Sequence, residues 1–126
     1  MIWVLDTSAI LADFLMEPGC EIVQGVSGTV MISTVNVAEV YAKLYERNVP
    51  AEKIEQLQLI EPFSVVEFDR SQAMLSAQLR PATRHNGISF GGRACLALAI
   101  QQNATVLTAD RAWNGLDLGV EIMFIR

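Results

Sequence analysis

Short apolar runs alternate along the chain with longer segments in which apolar residues recur every three or four positions. The short runs predict strands and the longer segments predict helices. Strands are expected at Ile2 to Leu5, Val30 to Ser33, SVVEF, TVLT and VEIMFI. No Gly/Ser/Pro-rich linker or internal repeat interrupts this alternation. The pattern therefore indicates one α/β domain covering residues 1–126.

The segments between these strands carry helix signals. Asp6, Thr7 and Ser8 are good helix starters before AILADFL. Pro18 is expected in the first turn of the next helix. Four further helices are predicted. One carries the apolar stripe Val37, Val40, Tyr41 and Leu44, and the next begins at Pro50 and has Ile54, Leu57 and Ile60 on its apolar side. The other two are expected near residues 70–80 and at Phe90 to Gln102. The stretch PATRHNG is predicted to be a loop.

Three acidic residues are predicted at one edge of the sheet. Asp6 follows the first strand, Glu39 lies early in the helix after the second, and Asp110 comes three residues after the TVL run of a later strand. Strands alternating with helices favour parallel pairing, and ligands of such sheets bind beyond the carboxyl ends of the strands. We expect these acids to share one site.

Clustered carboxylates repel one another unless a cation neutralises them. Oxygen ligands without Cys or His nearby suit Mg²⁺ or Mn²⁺ better than Zn²⁺. Such an ion can hold a phosphate oxygen and activate water, so phosphodiester hydrolysis is the matching chemistry. Each acid also has a plainer interpretation: Asp6 as a helix N-cap, Asp110 as a turn former and Glu39 as exposed helix surface.

Composition narrows these possibilities. A chain of 126 residues with 52% hydrophobic and 18% charged residues supports one sizeable core and excludes intrinsic disorder. The apolar runs are too short for a membrane span and no secretion signal precedes them, so a soluble, cytoplasmic protein is expected. Cys20 and Cys95 are expected to be reduced core residues.

The net charge of −5 argues at first against a nucleic-acid partner. Residues 80–111, however, contain four arginines and one aspartate, and this local excess of positive charge is compatible with a basic surface that binds nucleic acid. Ordinary solvated surface is the alternative for these arginines.

Four segments together resemble the PIN-domain ribonucleases, in particular VapC-type toxins of bacterial toxin–antitoxin pairs. They are VLDTSAIL, STVNVAEVYAKL, GISFGGRACLALA and VLTADRAW, and the resemblance covers nearly the whole chain. It implies a three-layer α/β/α domain with a central, mainly parallel sheet of four to five strands. It also implies an Mg²⁺-dependent endoribonuclease, with Mn²⁺ as a substitute, that forms a homodimer and is silenced by a VapB-type antitoxin.

The resemblance assigns roles by position. Asp6 and Asp110 look like metal ligands, Glu39 like an acid that completes the site, and Thr108 like a supporting hydroxyl. Arg93 and Arg111 flank these acids and are candidates for contacts with RNA phosphates or with the antitoxin. His85 is expected to be plain surface, Trp3 core, and Trp113 the more exposed tryptophan.

Gly92 departs from the family pattern. The residue before RACLALA is usually Asp, a metal-site carboxylate, whereas here Gly91 is followed by Gly92. An inactivating replacement and natural divergence both explain the glycine; we favour inactivation, because a toxic nuclease selects against active copies. Cleavage is expected to be much slower than with Asp at this position.

Other function classes fit less well. A haloacid-dehalogenase-type phosphatase would carry a second Asp where Ser8 stands, and no G-x-G-x-x-G run for a dinucleotide follows the first strand. The open alternative is a catalytically silent PIN-fold module that binds RNA or antitoxin without cleaving.

Overall fold

A computed structural model describes residues 1–56 and 63–126 as helices packed on a parallel sheet. The sheet has five strands in the order β3-β2-β1-β4-β5, and all four pairings are parallel. The strands are β1 (Ile2–Leu5), β2 (Thr29–Ser33), β3 (Ser64–Val66), β4 (Thr105–Thr108) and β5 (Ile122–Phe124). The expected parallel sheet is confirmed.

Strand β1 lies at the centre, paired on either side with β2 and β4. Leu5 is in register with Leu107, so the residues that follow each of them emerge side by side at the carboxyl edge. The chain order reverses at this place, which is where open parallel sheets usually bind ligands. Asp6 and Thr108 are the residues placed there.

Seven helices connect the strands in the described part of the chain. They are α1 (Thr7–Leu15), α2 (Cys20–Gly25), α3 (Thr34–Glu46), α4 (Ala51–Gln56), α5 (Arg70–Gln78), α6 (Arg80–Thr83) and α7 (Phe90–Gln102). Helix α7 has the predicted bounds. The prediction that Pro18 lies in the first turn of α2 is wrong, because Gly19, with φ of 96°, occupies the N-cap position and the helix begins at Cys20. Leu57 and Ile60 lie outside the described residues.

The strands separate two hydrophobic clusters. Side chains of successive strand residues point to opposite faces, so Trp3 and Leu5 pack with α1 and α3, while Val4 packs with α7. Both clusters contain residues with no exposed surface, among them Leu5, Leu44, Val4 and Leu98. The expected three-layer α/β/α arrangement is confirmed. None of the helices in the described ranges has the length and apolar character needed to span a bilayer.

The predicted loop PATRHNG is instead mostly helical. Arg80–Thr83 forms α6, and residues 84–86 form a 3₁₀ turn. Pro81 is compatible with this because it stands in the first turn, where a missing N–H costs nothing. Gly87, with φ of 65°, ends the segment.

Trp113 is also buried, contrary to the expectation that it would be exposed. Its exposed fraction is 3%, against 9% for Trp3. Trp113 lies in a 3₁₀ turn, residues 111–113, and packs in the cluster that contains α7. The apolar environment of that cluster explains why the ring is not on the surface.

Tryptophan fluorescence checks this burial. Because both rings are buried, we expect a blue-shifted native emission and weak quenching by acrylamide, both lost on unfolding. Trp3→Phe isolates the signal of Trp113, and Trp113→Phe is the matched control. Strong quenching in Trp3→Phe at native conditions would contradict the packing described for Trp113.

Candidate functional site

Asp6 is the buried carboxylate at the carboxyl edge of the sheet. It is 5% exposed and follows β1 as the N-cap of α1. One carboxylate oxygen, Oδ1, accepts hydrogen bonds from the Ala9 amide (2.9 Å) and the Ser8 hydroxyl (2.7 Å). The other, Oδ2, accepts one from the Thr108 hydroxyl (2.6 Å). The helix-cap role and the site role of Asp6 therefore coexist.

Thr108 connects Asp6 to Asp110. Its hydroxyl is fully buried and also accepts a hydrogen bond from the Asp110 amide at 3.0 Å. Ser8 makes a second connection, because its hydroxyl accepts from the Ala109 amide at 2.8 Å. The turn after β4 is thereby fixed against the turn after β1.

The surroundings of Asp6 disfavour its negative charge. Burial raises the pKa of Asp6 above its ordinary value, and the negative charge of Asp110 raises it further. Hydrogen bonds from Thr108, Ser8 and Ala9 stabilise the carboxylate and oppose part of that rise. Asp110 is exposed, and its own carboxylate accepts from the Ala112 amide at 3.0 Å.

Glu39 is held by a separate network. Its Oε1 accepts from the Thr7 hydroxyl at 2.6 Å and from the Asn36 amide group at 3.3 Å. The same amide nitrogen of Asn36 donates to Thr7 Oγ1 and to the Gly91 carbonyl, both at 3.1 Å. Asn36 is 1% exposed. Three helices, α1, α3 and α7, thus meet at the Glu39 side chain.

Gly91 is needed for this arrangement. A Cβ atom at position 91 would overlap the carboxylate of Glu39. Only a glycine lets the backbone of α7 approach the acid so closely.

Gly92 follows Gly91 in α7, but its neighbours are apolar side chains and not the Glu39 carboxylate. A Cβ built on it would lie 2.6 Å from Ile88 Cγ2 and 3.1 Å from a ring carbon of Trp113. Position 92 is the third residue of α7, whose N-cap Ser89 accepts a hydrogen bond from the Gly92 amide at 3.2 Å. Any side chain at this position requires Ile88 to move.

A cavity of about 460 Å³ opens over these residues. Its lining includes the expected Asp6, Glu39, Gly92 and Asp110. Three basic side chains that the sequence analysis did not select also line it, namely Lys43, Arg47 and Arg126.

Arg93 and Arg111 lie outside the lining formed by the described residues. Arg111 stacks on the Phe124 ring, 4.7 Å from its centroid. Arg93 donates to the Ile88 carbonyl at 3.4 Å, and its Nε is buried with no hydrogen-bond partner among the described residues. His85 is exposed, as predicted for surface.

Thr7 and Asn36 were missed by the sequence analysis. A signal existed for Asn36, since it lies four residues before Val40 and eight before Leu44, on the buried stripe of α3. A polar residue at such a position must find hydrogen-bond partners inside the fold. For Thr7, the one sequence signal for a role in the site is its position next to Asp6.

The groups at this site that could bind a metal ion are the carboxylates of Asp6, Asp110 and Glu39, so the ligand atoms would be oxygens. Within residues 1–56 and 63–126, however, no three acidic, His or Cys side chains gather closely enough to hold one metal ion together. Asp6 and Asp110 interact electrostatically, while Glu39 is engaged by Thr7 and Asn36. Two carboxylates on a hydroxyl-rich edge match the chemistry of Mg²⁺, which takes one or two carboxylates and keeps water ligands.

Comparison with known proteins gives the same fold. Residues 3–117 match the PIN domain family. VapBC2 from Rickettsia felis, solved with a promoter DNA fragment, is similar with a TM-score of 0.75 at 17% identity, covering 98% of both chains. No curated protein matches the sequence.

Two further solved structures are similar. FitAcB from Neisseria gonorrhoeae has a TM-score of 0.70 at 25% identity, covering 98% of this chain and 96% of the other. VapC20 from Mycobacterium tuberculosis, a sarcin–ricin-loop-cleaving toxin, has a TM-score of 0.72 at 17% identity, covering 96% of this chain and 99% of the other.

Replacement of the buried acid is expected to stabilise the protein in the absence of divalent cations. Asp6→Asn keeps the acceptor Oδ1, places Nδ2 where Oδ2 accepts from Thr108, so that the direction of this hydrogen bond must reverse, and removes a buried charge. Because burial outweighs the hydrogen bonds in raising the pKa of Asp6, the melting temperature at neutral pH should rise by a few degrees. Because the pKa of Asp6 is raised, its destabilising effect is present above the folded-state pKa and disappears as pH falls through it. The advantage of Asp6→Asn should therefore vanish in acid.

Thermal unfolding in EDTA between pH 4 and 8 measures this effect. Asp110→Asn, at an exposed carboxylate, is the control and should change the melting temperature little. A melting temperature of Asp6→Asn that does not rise relative to that of the unaltered chain between pH 4 and 8 would contradict the raised pKa of Asp6.

The close approach at Gly91 gives a second stability test. Gly91→Ala should lower stability relative to Gly25→Ala by about 1 kcal/mol, because the new methyl group displaces the end of the Glu39 side chain from its hydrogen bonds to Thr7 and Asn36, whereas both substitutions share the gain in helix propensity. Gly25→Ala is the matched helical control, since a Cβ there meets nothing within 4 Å. Denaturant unfolding should show a smaller effect of Gly91→Ala in a Glu39→Ala background, and equal effects would exclude this approach of Glu39 to α7.

Proposed function

Because the chain belongs to the PIN domain family, we propose that it is a metal-dependent endoribonuclease of the toxin type. The observation that carries the proposal is the pair Asp6 and Asp110 at the carboxyl ends of adjacent strands, beside a cavity that Glu39 also lines. Asp6 is buried with its pKa raised and would be stabilised in its ionised form by a divalent cation.

Asp6 and Asp110 would hold Mg²⁺, with Mn²⁺ as a substitute. When bound, the ion supplies a Lewis acid for a phosphate oxygen and a more acidic water. The residues of this chain provide the geometry. Thr108 and Ser8 orient the carboxylate of Asp6, whereas Thr7 and Asn36 orient that of Glu39. Glu39 faces the cavity and is the candidate to accept a proton from the attacking water.

The proposed partners are an RNA substrate, a VapB-type antitoxin and a second copy of the chain, in the cytoplasm. Similarity to VapC20, a sarcin–ricin-loop-cleaving toxin, supports an RNA substrate. Similarity to VapBC complexes supports an antitoxin. Met16, Ile22 and Tyr45 expose 70%, 39% and 51% of their surface on or beside helices between residues 10 and 60, which is apolar area that a protein partner would cover.

A second candidate is a PIN-fold module that binds without cleaving. One observation favours it: a Cβ built on Gly92 would lie 2.6 Å from Ile88 Cγ2 and 3.1 Å from a ring carbon of Trp113, so a side chain there, a carboxylate included, requires Ile88 to move. Loss of that carboxylate also lowers the negative charge available for a metal ion.

Cleavage assays with Gly92→Asp distinguish the two candidates. We expect Mg²⁺- or Mn²⁺-dependent RNA cleavage to increase on the order of 10- to 100-fold over the unaltered chain, as for groups that complete a metal site. The third position of a helix also favours an acidic side chain. The close approach of Ile88 opposes the change, so Gly92→Asp is also tested with Ile88→Leu, which removes Cγ2 at constant volume.

Gly92→Ala with Ile88→Leu is the matched control because it adds Cβ without the carboxylate. Gly92→Asp combined with Asp6→Asn controls for contaminating nuclease. Cleavage that appears only with Asp at 92 and Asp at 6 supports the nuclease. Folded variants that all fail to cleave ribosomal RNA, but bind antitoxin, would support the binding module instead.

A further inference from the structure

Helix α3 carries a regular row of charged residues along one side. Glu39 and Lys43 of α3 and Arg47, the C-cap residue of this helix, are spaced four residues apart, and all three line the cavity. Residues at this spacing lie on the same helix face. At about 1.5 Å per residue, Lys43 is about 6 Å and Arg47 about 12 Å beyond Glu39 along the helix axis.

Arg126 and Glu17 complete this end of the cavity. Arg126 Nη1 donates to the Pro18 carbonyl at 2.8 Å, which holds its guanidinium beside the segment between α1 and α2. Arg47 Nη1 lies 3.8 Å from Glu17 Oε2, with the two side chains 49% and 31% exposed. An exposed ion pair of this length contributes little stability and can exchange for another anion.

Cations and acids therefore line one cavity. Asp6 and Asp110 follow adjacent strands at the carboxyl edge of the sheet, whereas Lys43 and Arg47 lie beyond Glu39 along the chain of α3, and Arg126 lies beside Pro18. Glu17 is the acid that accompanies these cations, and it is paired with Arg47. A polyanion approaching the acids would be repelled unless neighbouring cations compensate its charge.

We propose that Lys43, Arg47 and Arg126, termed the cationic wall, bind backbone phosphates of single-stranded RNA next to the bond facing Asp6 and Asp110. The inference rests on the proposed function and specifies how its substrate is positioned. The roughly 12 Å between Glu39 and Arg47 corresponds to three or four stacked nucleotides at about 3.4 Å each. Arginine forms bidentate hydrogen bonds with phosphate, and positive grooves commonly track single strands.

Glu17 competes with RNA in this arrangement. Its carboxylate occupies part of the hydrogen-bonding capacity of Arg47, and RNA phosphate would take its place. Removing the Glu17 charge should therefore tighten RNA binding, a change opposite in sign to that of removing a wall cation.

Fluorescence anisotropy tests the cationic wall without depending on cleavage. The probe is a labelled eight-nucleotide RNA of mixed sequence, in EDTA and low salt, with its integrity checked on a gel. We expect Lys43→Gln, Arg47→Gln and Arg126→Gln each to raise Kd about tenfold. The slope of log Kd against log salt concentration should fall by about 0.7 in each variant, because each neutralises one phosphate fewer. Arg80→Gln, an exposed arginine outside the lining formed by the described residues, is the control.

Glu17→Gln is expected to lower Kd about threefold, against no change for Glu52→Gln on the exposed side of α4. Wall variants that bind RNA as Arg80→Gln does, or no RNA binding by the unaltered chain, would overturn the inference. RNA binding that depends on the cationic wall, without metal-dependent cleavage, would support the wall and contradict the proposed nuclease activity. Metal-dependent cleavage without wall-dependent binding would support the nuclease activity and contradict the wall.

Discussion

The hydrogen bond between Thr108 and Asp6 joins the two halves of the site. It exists because β1 and β4 are adjacent parallel strands whose registered residues Leu5 and Leu107 end together. Burial at this edge disfavours the charge of the Asp6 carboxylate, and the donors among the described residues that compensate for it are the hydroxyl groups of Thr108 and Ser8 and the Ala9 amide. Such a carboxylate is a costly element of the fold in the absence of a cation. Retaining it is understandable if the site binds one.

Close approach of α7 is the second requirement. Gly91 lets Glu39 lie against the helix backbone, and Asn36 ties the same backbone to α3. Gly92 follows Gly91 in α7, but the side chains closest to it are those of Ile88 and Trp113. The two adjacent glycines thus have different consequences: Gly91 accommodates the Glu39 carboxylate, and Gly92 stands at the position where the family resemblance led us to expect an acid.

Local pattern was sufficient for most of the architecture. The apolar stripe of α3, the limits of α7 and the strand IWVL follow from periodicity and capping, which depend on near neighbours in sequence. The prediction for Trp113 was wrong because its burial is decided by packing against distant residues of the cluster around α7. The prediction for the PATRHNG segment was wrong because Pro81 stands in the first turn of α6 and Gly87 follows the 3₁₀ turn, where both residues are compatible with helical structure. Topology was sufficient to place Asp6 and Asp110 at one sheet edge, whereas Glu39 lies on α3. The support of Glu39 by Thr7 and Asn36 could not, since side-chain hydrogen bonds between helices leave no periodic signal.

Binding of Mn²⁺ tests most directly the claim that Asp6 and Asp110 form a metal site. The increase in melting temperature on adding millimolar Mn²⁺, each variant compared with itself in EDTA, reports binding to the folded state. We expect an increase for the unaltered chain, a larger one for Gly92→Asp, and none for Asp6→Asn or Asp110→Asn. An equal increase in all four proteins would place the ion elsewhere and contradict the assignment of these two carboxylates as its ligands.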